Sequence, residues 1–449
     1  MELDALAHLM NRAGFGLHPA DVPRFEGKST GEAVRMLFSD ARSKEPLHYL
    51  ADPRPQSGDV SSLKVLKMAL KSRKDTRDLN LAWLDHMAAS QAVLREKMTL
   101  FWHNHFATGT QLAYLMQVQN NTLRTHALGN FKDLLHAVAR DPAMILYLNN
   151  QQNKRKAPNE NFAREVMELF TLGEGNGYTE RDIKEAARAF TGWHINGRGD
   201  FELNTKHHDT GSKTIFGRSG HWGGEDVVEL LLDQRQTAHT IAAKFYRFFV
   251  NEMPEPEIIQ ALGDHFYDSE YDIADLVETV FTSSWFYEKR HRGALVKSPA
   301  YLLVQTKRLS GMEVDHNKRG ALLKAQEALG QVLFFPPNVA GWPGGRAWID
   351  SGTLLTRMRL PGLMLDAGQR RAMREDRSLR RLRPIWGKIP VSTNWRKLQS
   401  AVRKQGGEVV LNCLITAPRG GIDLSALNPE GSPVVLTTTI MGLPEFQLA

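Results

Sequence analysis

The sequence predicts a mainly α protein, built as a single large multi-helix domain. Three observations carry that expectation. Apolar residues recur three to four apart over most of the 449 residues. Capping residues stand just ahead of several of these stripes. Strand-like alternation is confined to a few short runs. Hydrophobic content of 42% and charge of 24% are ordinary for a globular chain of this length, which can bury a substantial core.

In order, residues 3–16 read as a short helix stopped by Gly14 and Gly16, and 29–37 as a second after Asp21 and Pro23. Residues 51–62 form a polar Pro/Gly loop, followed by a basic, exposed helix at about 62–74. From 78 to 106 runs a long helical stretch whose end, Met98 to Phe106, is apolar on nearly every face and so is expected to be buried all round. Helices follow at about 112–127, 131–148 and 159–172, the last stopped by Gly173. Thr179 and Asp182 have capping-box spacing before an apolar helix that reaches Phe190.

Residues 192–224 change character. Gly, Asn, His and Asp dominate, predicting a long irregular loop region, and such loops tend to be functional. Helices are expected again at about 225–232, 236–250, 255–267, 272–282, 299–310 and 318–330. The last leads into the Pro/Trp/Gly loop 334–345. Beyond 352 one helix passes into a basic segment. The tail, 405–449, alternates β-like runs (408–415, 433–440) with turns and is expected to pack back on the core.

The net charge of +7 is localised. Residues 369–404 hold twelve Lys/Arg against Glu375 and Asp376, a surplus of ten that leaves the rest of the chain at −3. Trp386 and Trp395 interleave with these cations, but no nucleic-acid reader motif accompanies them, so nucleic acid is the weakest partner expectation. The single cysteine, Cys413, excludes an internal disulfide framework. No apolar run reaches the length of a membrane-spanning helix, and Met1-Glu2-Leu3-Asp4 lacks the features of a secretory signal, so the product as written is expected in the cytoplasm. No Walker loop, G-x-S-x-G or H-E-x-x-H is present.

The richest stretch runs from Asn159 to Gly173. Phe162, Val166, Leu169 and Phe170 form its core stripe, while Glu165 and Glu168 are i,i+3 neighbours about 5–6 Å apart at Cβ. Arg164 stands four residues from both Glu160 and Glu168 and can bridge either. Two carboxylates on one helix face are either a ligand or acid/base pair or a salt-bridged surface. His103-Asn104-His105 ends the buried helix. Residues two apart on a helix point about 200° apart, so both imidazoles meet one ligand only if the helix ends there. Their other reading is two core histidines bonded to carboxylates or carbonyls. His207-His208-Asp209, with Lys213 four residues on, is either a base with its orienting group, a ligand pair, or a surface turn.

Together these pieces resemble the bacterial family called domain of unknown function 1800. The resemblance rests on His8-Leu9-Met10-Asn11-Arg12-Ala13-Gly14-Phe15-Gly16, Phe101-Trp102-His103-Asn104-His105-Phe106, the Asn159–Gly173 stretch and Tyr178-Thr179-Glu180. Ala189-Phe190-Thr191-Gly192-Trp193, His208-Asp209 with Lys213 and Gly217, Pro336-Pro337-Asn338-Val339-Ala340-Gly341-Trp342-Pro343-Gly344-Gly345 and Leu443-Pro444-Glu445-Phe446 complete it. It covers essentially the whole chain. It implies a mainly helical protein, often exported and often encoded beside a sulfatase-like family, which is thereby a candidate partner. This sequence starts directly at the first motif, without an export signal.

The leading expectation is an enzyme with a His/carboxylate site, a metal-dependent hydrolase in its sharpest form. Glu165, Glu168, His208, Asp209, Lys213 and Arg164 would be catalytic, and His103, His105, Glu168 and His208 would hold a divalent metal. Ligands without thiolate suit Zn, Mn or Fe, and an open position would activate water. Arg164 and Lys213 would grip an anionic or polar small molecule or glycan. The alternative is a non-catalytic scaffold or partner protein whose His/Glu/Arg cluster is a buried structural network. Convergence on one pocket separates the two.

Overall fold

The computed structural model describes residues 1–52, 62–314, 320–365, 391–418, 422 and 427–449, with backbone alone over 62–73 and at 391. It is mainly α. The first half comprises α1 (Leu3–Ala13), α2 (Thr30–Asp40), α3 (Ser62–Ala89), α4 (Val93–His105), α5 (Ala113–His126), α6 (Phe131–Ala139), α7 (Pro142–Tyr147), α8 (Asn161–Glu165) and α9 (Glu180–Ala189). Then come α10 (Gly224–Leu232), α11 (Arg235–Phe249), α12 (Pro256–Asp268), α13 (Ile273–Thr282), α14 (Pro299–Ser310), α15 (Gly320–Leu329), α16 (Ser351–Leu365), α17 (Arg396–Gln405), α18 (Glu408–Leu414) and α19 (Pro433–Met441).

The core is organised on α4, which is buried on nearly every face as its sequence predicts. Trp102 stacks on Phe106 and Phe131 and donates its indole N–H to the Ala127 carbonyl at 3.1 Å, so the ring is buried with its polar edge satisfied. Each such aromatic contributes roughly 1.5–3 kcal/mol by leaving water. The single stretch expected over 78–106 is two helices. Ser90 ends the first: its hydroxyl accepts the Ala92 N–H at 3.0 Å, an alternative to helical bonding, and Arg308 caps the freed carbonyls of Met87, Ala88 and Ser90. The stretch 131–148 likewise divides, because Asp141 caps α7 and Pro142 fits only a first turn.

The capping box at Thr179 and Asp182 forms as its spacing predicts, and Gly173 takes the left-handed conformation (φ +84°). Residues 192–224 hold two small hairpins, β1 (Trp193–Ile195) with β2 (Phe201–Leu203) and β3 (Lys213–Ile215) with β4 (Arg218–Gly220). The β-like tail runs are helices. Val409, Val410, Leu414, Leu436 and Ile440 are buried in α18 and α19, and Pro433 opens the second, so tertiary burial outweighs strand preference. Within the tail, α18 contacts α1. One short ladder, β5 (Glu313–Val314) with β6 (Val391–Ser392), joins the segment before it to the core.

Of the basic segment, 369–390, with Trp386, lies outside the described residues. Arg396, Lys397, Arg403 and Lys404 stand on α17, which buries Leu398 and Ala401 and pairs Lys397 with Asp21 at 2.7 Å. No described helix is long and apolar enough to cross a membrane.

Candidate functional site

The carboxylate face of the 159–173 stretch is a salt-bridged surface. Arg164 bridges Glu168 (3.2 Å), Glu160 (3.3 Å) and Glu180 (2.7 Å), and it is about a third exposed. Glu165, half-buried, has its pKa raised by burial and by the neighbouring Glu168 charge, and no hydrogen bond ties it to the described residues. The special feature of this motif is its backbone. Over Val166–Thr171 the helix widens to a π turn, in which the Leu172 N–H reaches back five residues to the Met167 carbonyl at 2.8 Å. Leu169 and Phe170 stand in the last turn of this helix, where carbonyls lack partners within the helix. The Leu169 carbonyl accepts from Lys244 Nζ (2.5 Å), and the Phe170 carbonyl faces His105 Nε2 at 3.2 Å.

His208, Asp209 and Lys213 form a closed turn. His208 Nδ1 lies 2.8 Å from the Thr191 carbonyl, and Asp209 is paired with Arg188 and accepts the Gly211 N–H. Lys213 Nζ donates to the carbonyls of Asp209 (2.5 Å) and Gly211 (3.1 Å). Arg188 holds the Asp209 carboxyl below its usual range, leaving it no drive to act as a base.

The histidines part company. His103 Nε2 accepts the Phe334 N–H at 3.1 Å, which puts its proton on Nδ1, an atom with no partner among the described residues. Burial among Trp83, Phe334 and Trp342 lowers its pKa to about 3. Its task is to hold Phe334, whose φ of +68° is unfavourable for a bulky residue, where the loop to Gly345 begins. Asn104 takes the next part of that loop: its Oδ1 accepts the Trp342 N–H at 2.8 Å. Gly341 passes so close that a Cβ there would lie 2.5 Å from the Asn104 carbonyl oxygen. His105 turns instead to the π turn and to Lys244, whose Nζ is 3.3 Å from its Nδ1.

The structure does not bring the four expected metal ligands, His103, His105, Glu168 and His208, together. His105 is bonded to a carbonyl and a lysine, Glu168 to Arg164 and His208 to a carbonyl, and no three His, Cys, Asp or Glu among the described residues are grouped to hold an ion. Nor do Glu165, Arg164, Asp209 or Lys213 line the cavity that the family motifs enclose; of the residues expected in the site, only His105 does.

That cavity has a volume of about 390 Å³. Lys97, Phe101, Asn104 and His105 reach it from one stripe of α4, Asn11 and Arg12 from the end of α1, and Lys244, Arg247 and Phe248 from α11. Lys297, Tyr301, Gln331 and the Trp342–Gly345 loop close it. Five basic side chains thus meet one acidic side chain among the described lining, which also includes the C-terminal residue Ala449. The acidic side chain, Glu252, already accepts the Arg346 N–H, and Gly345 (φ +55°) leaves it no room for a Cβ.

Among the described residues, none of the buried cations lining the cavity is paired with a carboxylate. Arg12 donates to the His291 carbonyl, while its Nε and one terminal nitrogen are buried without a partner. Lys297 donates to the Phe446 carbonyl at 2.7 Å and lies over the Phe446 ring. Lys97 makes no hydrogen bond or ion pair with any described residue. Its ammonium position is 4.0 Å from the Tyr301 ring centroid and 5.4 Å from that of Phe15, so only aromatic faces receive it. The Tyr301 hydroxyl donates to Asn11 Oδ1 at 2.5 Å.

Burial holds Lys97 and Lys297 well below the usual lysine range, with the Arg12 charge adding to it, and brings Lys244 down to about 8. Arg12 is lowered too, again by burial, but a guanidinium keeps its proton at neutral pH. No local pattern joins these side chains: Arg12, Lys97 and Lys244 stand on three separate helices, Lys97 next to the charged Arg95 and Glu96, and Lys297 lies just ahead of α14. The available signal was a lysine within a helix expected to be buried all round, since buried lysines are rare.

A family model described as a protein of unknown function, DUF1800, matches residues 8–448. No curated protein matches the chain, and no solved structure does.

Proposed function

This chain belongs to the DUF1800 family, and from that premise we propose that it binds a small anionic ligand in the cavity between α1, α4, α11 and α14. The observation that carries this reading is the imbalance among side chains: Arg12, Lys97, Lys244, Arg247 and Lys297 outnumber the one acidic side chain, the already engaged Glu252, even with the C-terminal Ala449 in the lining. An unpaired buried ion costs several kcal/mol. A ligand bearing a carboxylate, sulfate or phosphate would offset that cost with charge-assisted hydrogen bonds to Arg12 and the lysines. Asn11, Asn104 and Gln331 would orient its polar groups, and Phe101, Phe248 and Trp342 would cover its apolar faces.

This reading keeps the anionic ligand expected from the sequence and moves its holders from Arg164 and Lys213 to the cavity cations. The motifs gain a common task. His103 and Asn104 pin the Trp342–Gly345 loop, and the π turn sets Lys244 and His105 against the cavity.

Calorimetry and thermal unfolding with inorganic sulfate test it, with sodium chloride at matched ionic strength as control. Binding should saturate and raise stability by about 2.7 kcal/mol at a hundred times Kd. Arg247→Ala, which removes an exposed lining cation, should weaken it, and Arg164→Ala should not. A sulfate response no larger than chloride's would overturn the reading in favour of a non-catalytic scaffold.

A further inference from the structure

We propose that Lys97 is a nucleophilic amine that forms a Schiff base with the carbonyl carbon of a small oxo acid held in this cavity. The proposal rests on the anion-binding reading above and narrows its ligand to a carbonyl compound that also carries a carboxylate.

The argument begins with what surrounds the amine. Lys97 is 6% exposed, lines the cavity, and has no hydrogen bond or ion pair with any described residue. A lysine kept as a cation for structural reasons has a carboxylate or carbonyls around it, as Lys213 does with the carbonyls of Asp209 and Gly211. Around Lys97 stand instead the rings of Tyr301, Phe15 and Phe248, with Arg12 and Lys297 sharing the cavity. The ring faces favour an ammonium, but burial away from water and the neighbouring Arg12 and Lys297 charges oppose it and favour the free amine, which carries the lone pair. The lowered basicity of Lys97 agrees with that geometry.

The cavity also supplies the rest of the chemistry. Arg12 has two buried nitrogens without partners, suited to a carboxylate, and Lys297 lies over the Tyr301 ring at 5.5 Å from its centroid. In the step, the Lys97 nitrogen lone pair attacks the carbonyl carbon, and the C=O π pair moves to oxygen, which takes a proton. The resulting carbinolamine loses its hydroxyl, protonated, as water while the nitrogen gives up its protons, so amine and carbonyl become imine and water. No oxidant or reductant enters. Lys244, on the same cavity and bonded to His105 Nδ1, is the ionisable donor available for the oxygen. Once protonated, the imine withdraws electrons from the adjacent carbon. The chemistry that follows is therefore loss of a proton, or cleavage of a bond, at that carbon.

Glyoxylate, the smallest oxo acid, with sodium cyanoborohydride on the full chain tests the proposal. Reduction fixes the imine as a carboxymethyl-lysine that peptide mass spectrometry locates. A larger share of free amine and a carboxylate held beside it should make Lys97 label faster than every surface lysine. Labelling should saturate with glyoxylate, fall when sulfate is added, and vanish from this position in Lys97→Arg, which preserves a cation. Two results overturn the proposal while leaving anion binding intact: labelling of Lys97 no faster than surface lysines in protein that still binds sulfate, or preferential labelling of Lys244. Failure of sulfate to bind at all removes both readings.

Discussion

Glu96 and Lys97 are neighbours on α4, both buried and both ionisable, yet the structure treats them in opposite ways. Glu96 sits in a closed network. Arg124 donates to both its oxygens (2.6 and 3.1 Å), the Trp83 indole donates at 3.0 Å, and His86 stands 3.4 Å away. Burial alone would raise its pKa, but Arg124 and His86 more than offset that and hold it at about 2. Lys97, one residue on and about 100° around the helix, faces the cavity and makes no hydrogen bond or ion pair with any described residue. A charge that is buried and fully partnered fixes register; a charge that is buried and unpartnered is stability given up, which selection keeps at sites that meet a ligand.

The sharpest way to break this comparison is to remove one member of the closed network. Glu96→Gln leaves Arg124 buried without a counter-ion and should cost roughly 3–5 kcal/mol in chemical denaturation at pH 7. A loss under about 1 kcal/mol would mean that the network is no more structural than the cavity. Lys97→Met should do the reverse. Relieving an unpaired buried amine should leave stability unchanged or raise it by about 1–2 kcal/mol, while the stabilisation by sulfate shrinks. If the two neighbours lose stability equally, the distinction drawn between them fails.

The pH dependence sharpens the same contrast. Burial lowers Lys244 to about 8 in the folded protein, so between that value and the ordinary 10.5 the unfolded chain holds the extra proton. The penalty for burying the ammonium is fully present below pH 8 and fades as pH rises toward 10.5, so the unliganded protein should gain stability across that window. Lys97 and Lys297, also lowered by burial, act in the same direction, in windows that end at the same ordinary lysine value. Sulfate keeps its charge throughout, so its affinity should fall, on the order of tenfold, as Lys244 loses its proton. Lys244→Arg should flatten that fall in a calorimetric series from pH 6 to 10, and an unchanged slope would assign the titration elsewhere.

The smallest effect belongs to the residue that looked most functional in sequence. Arg164 is partly exposed, and its bridges to Glu160, Glu168 and Glu180 are individually worth about 0.2–1 kcal/mol. Arg164→Ala should therefore lower stability by no more than about 1–2 kcal/mol and leave sulfate affinity untouched. A large loss of binding would return the carboxylate face to the site.

Particular residues show how far the sequence could be read. The periodicity of α4 announced its burial, Gly173 and Thr179 announced their caps, and the ordered motifs announced the family across its whole length. These are local properties: a stripe at 3.6-residue spacing, a cap or a left-handed glycine depends on residues within a turn or two. The motif around Glu165 and Glu168 was found, but its contribution to the cavity is the carbonyls of Leu169 and Phe170, at the end of a π turn that no side-chain pattern reports. The helices over 408–414 and 433–441 were hidden for a related reason, since their β-branched residues take their conformation from what buries them. Lys97, Arg12 and Lys244 come from three helices far apart in the chain. Only the folded structure decides that their charges share one space, because a long-range electrostatic imbalance is a property of packing and leaves no trace in any one segment.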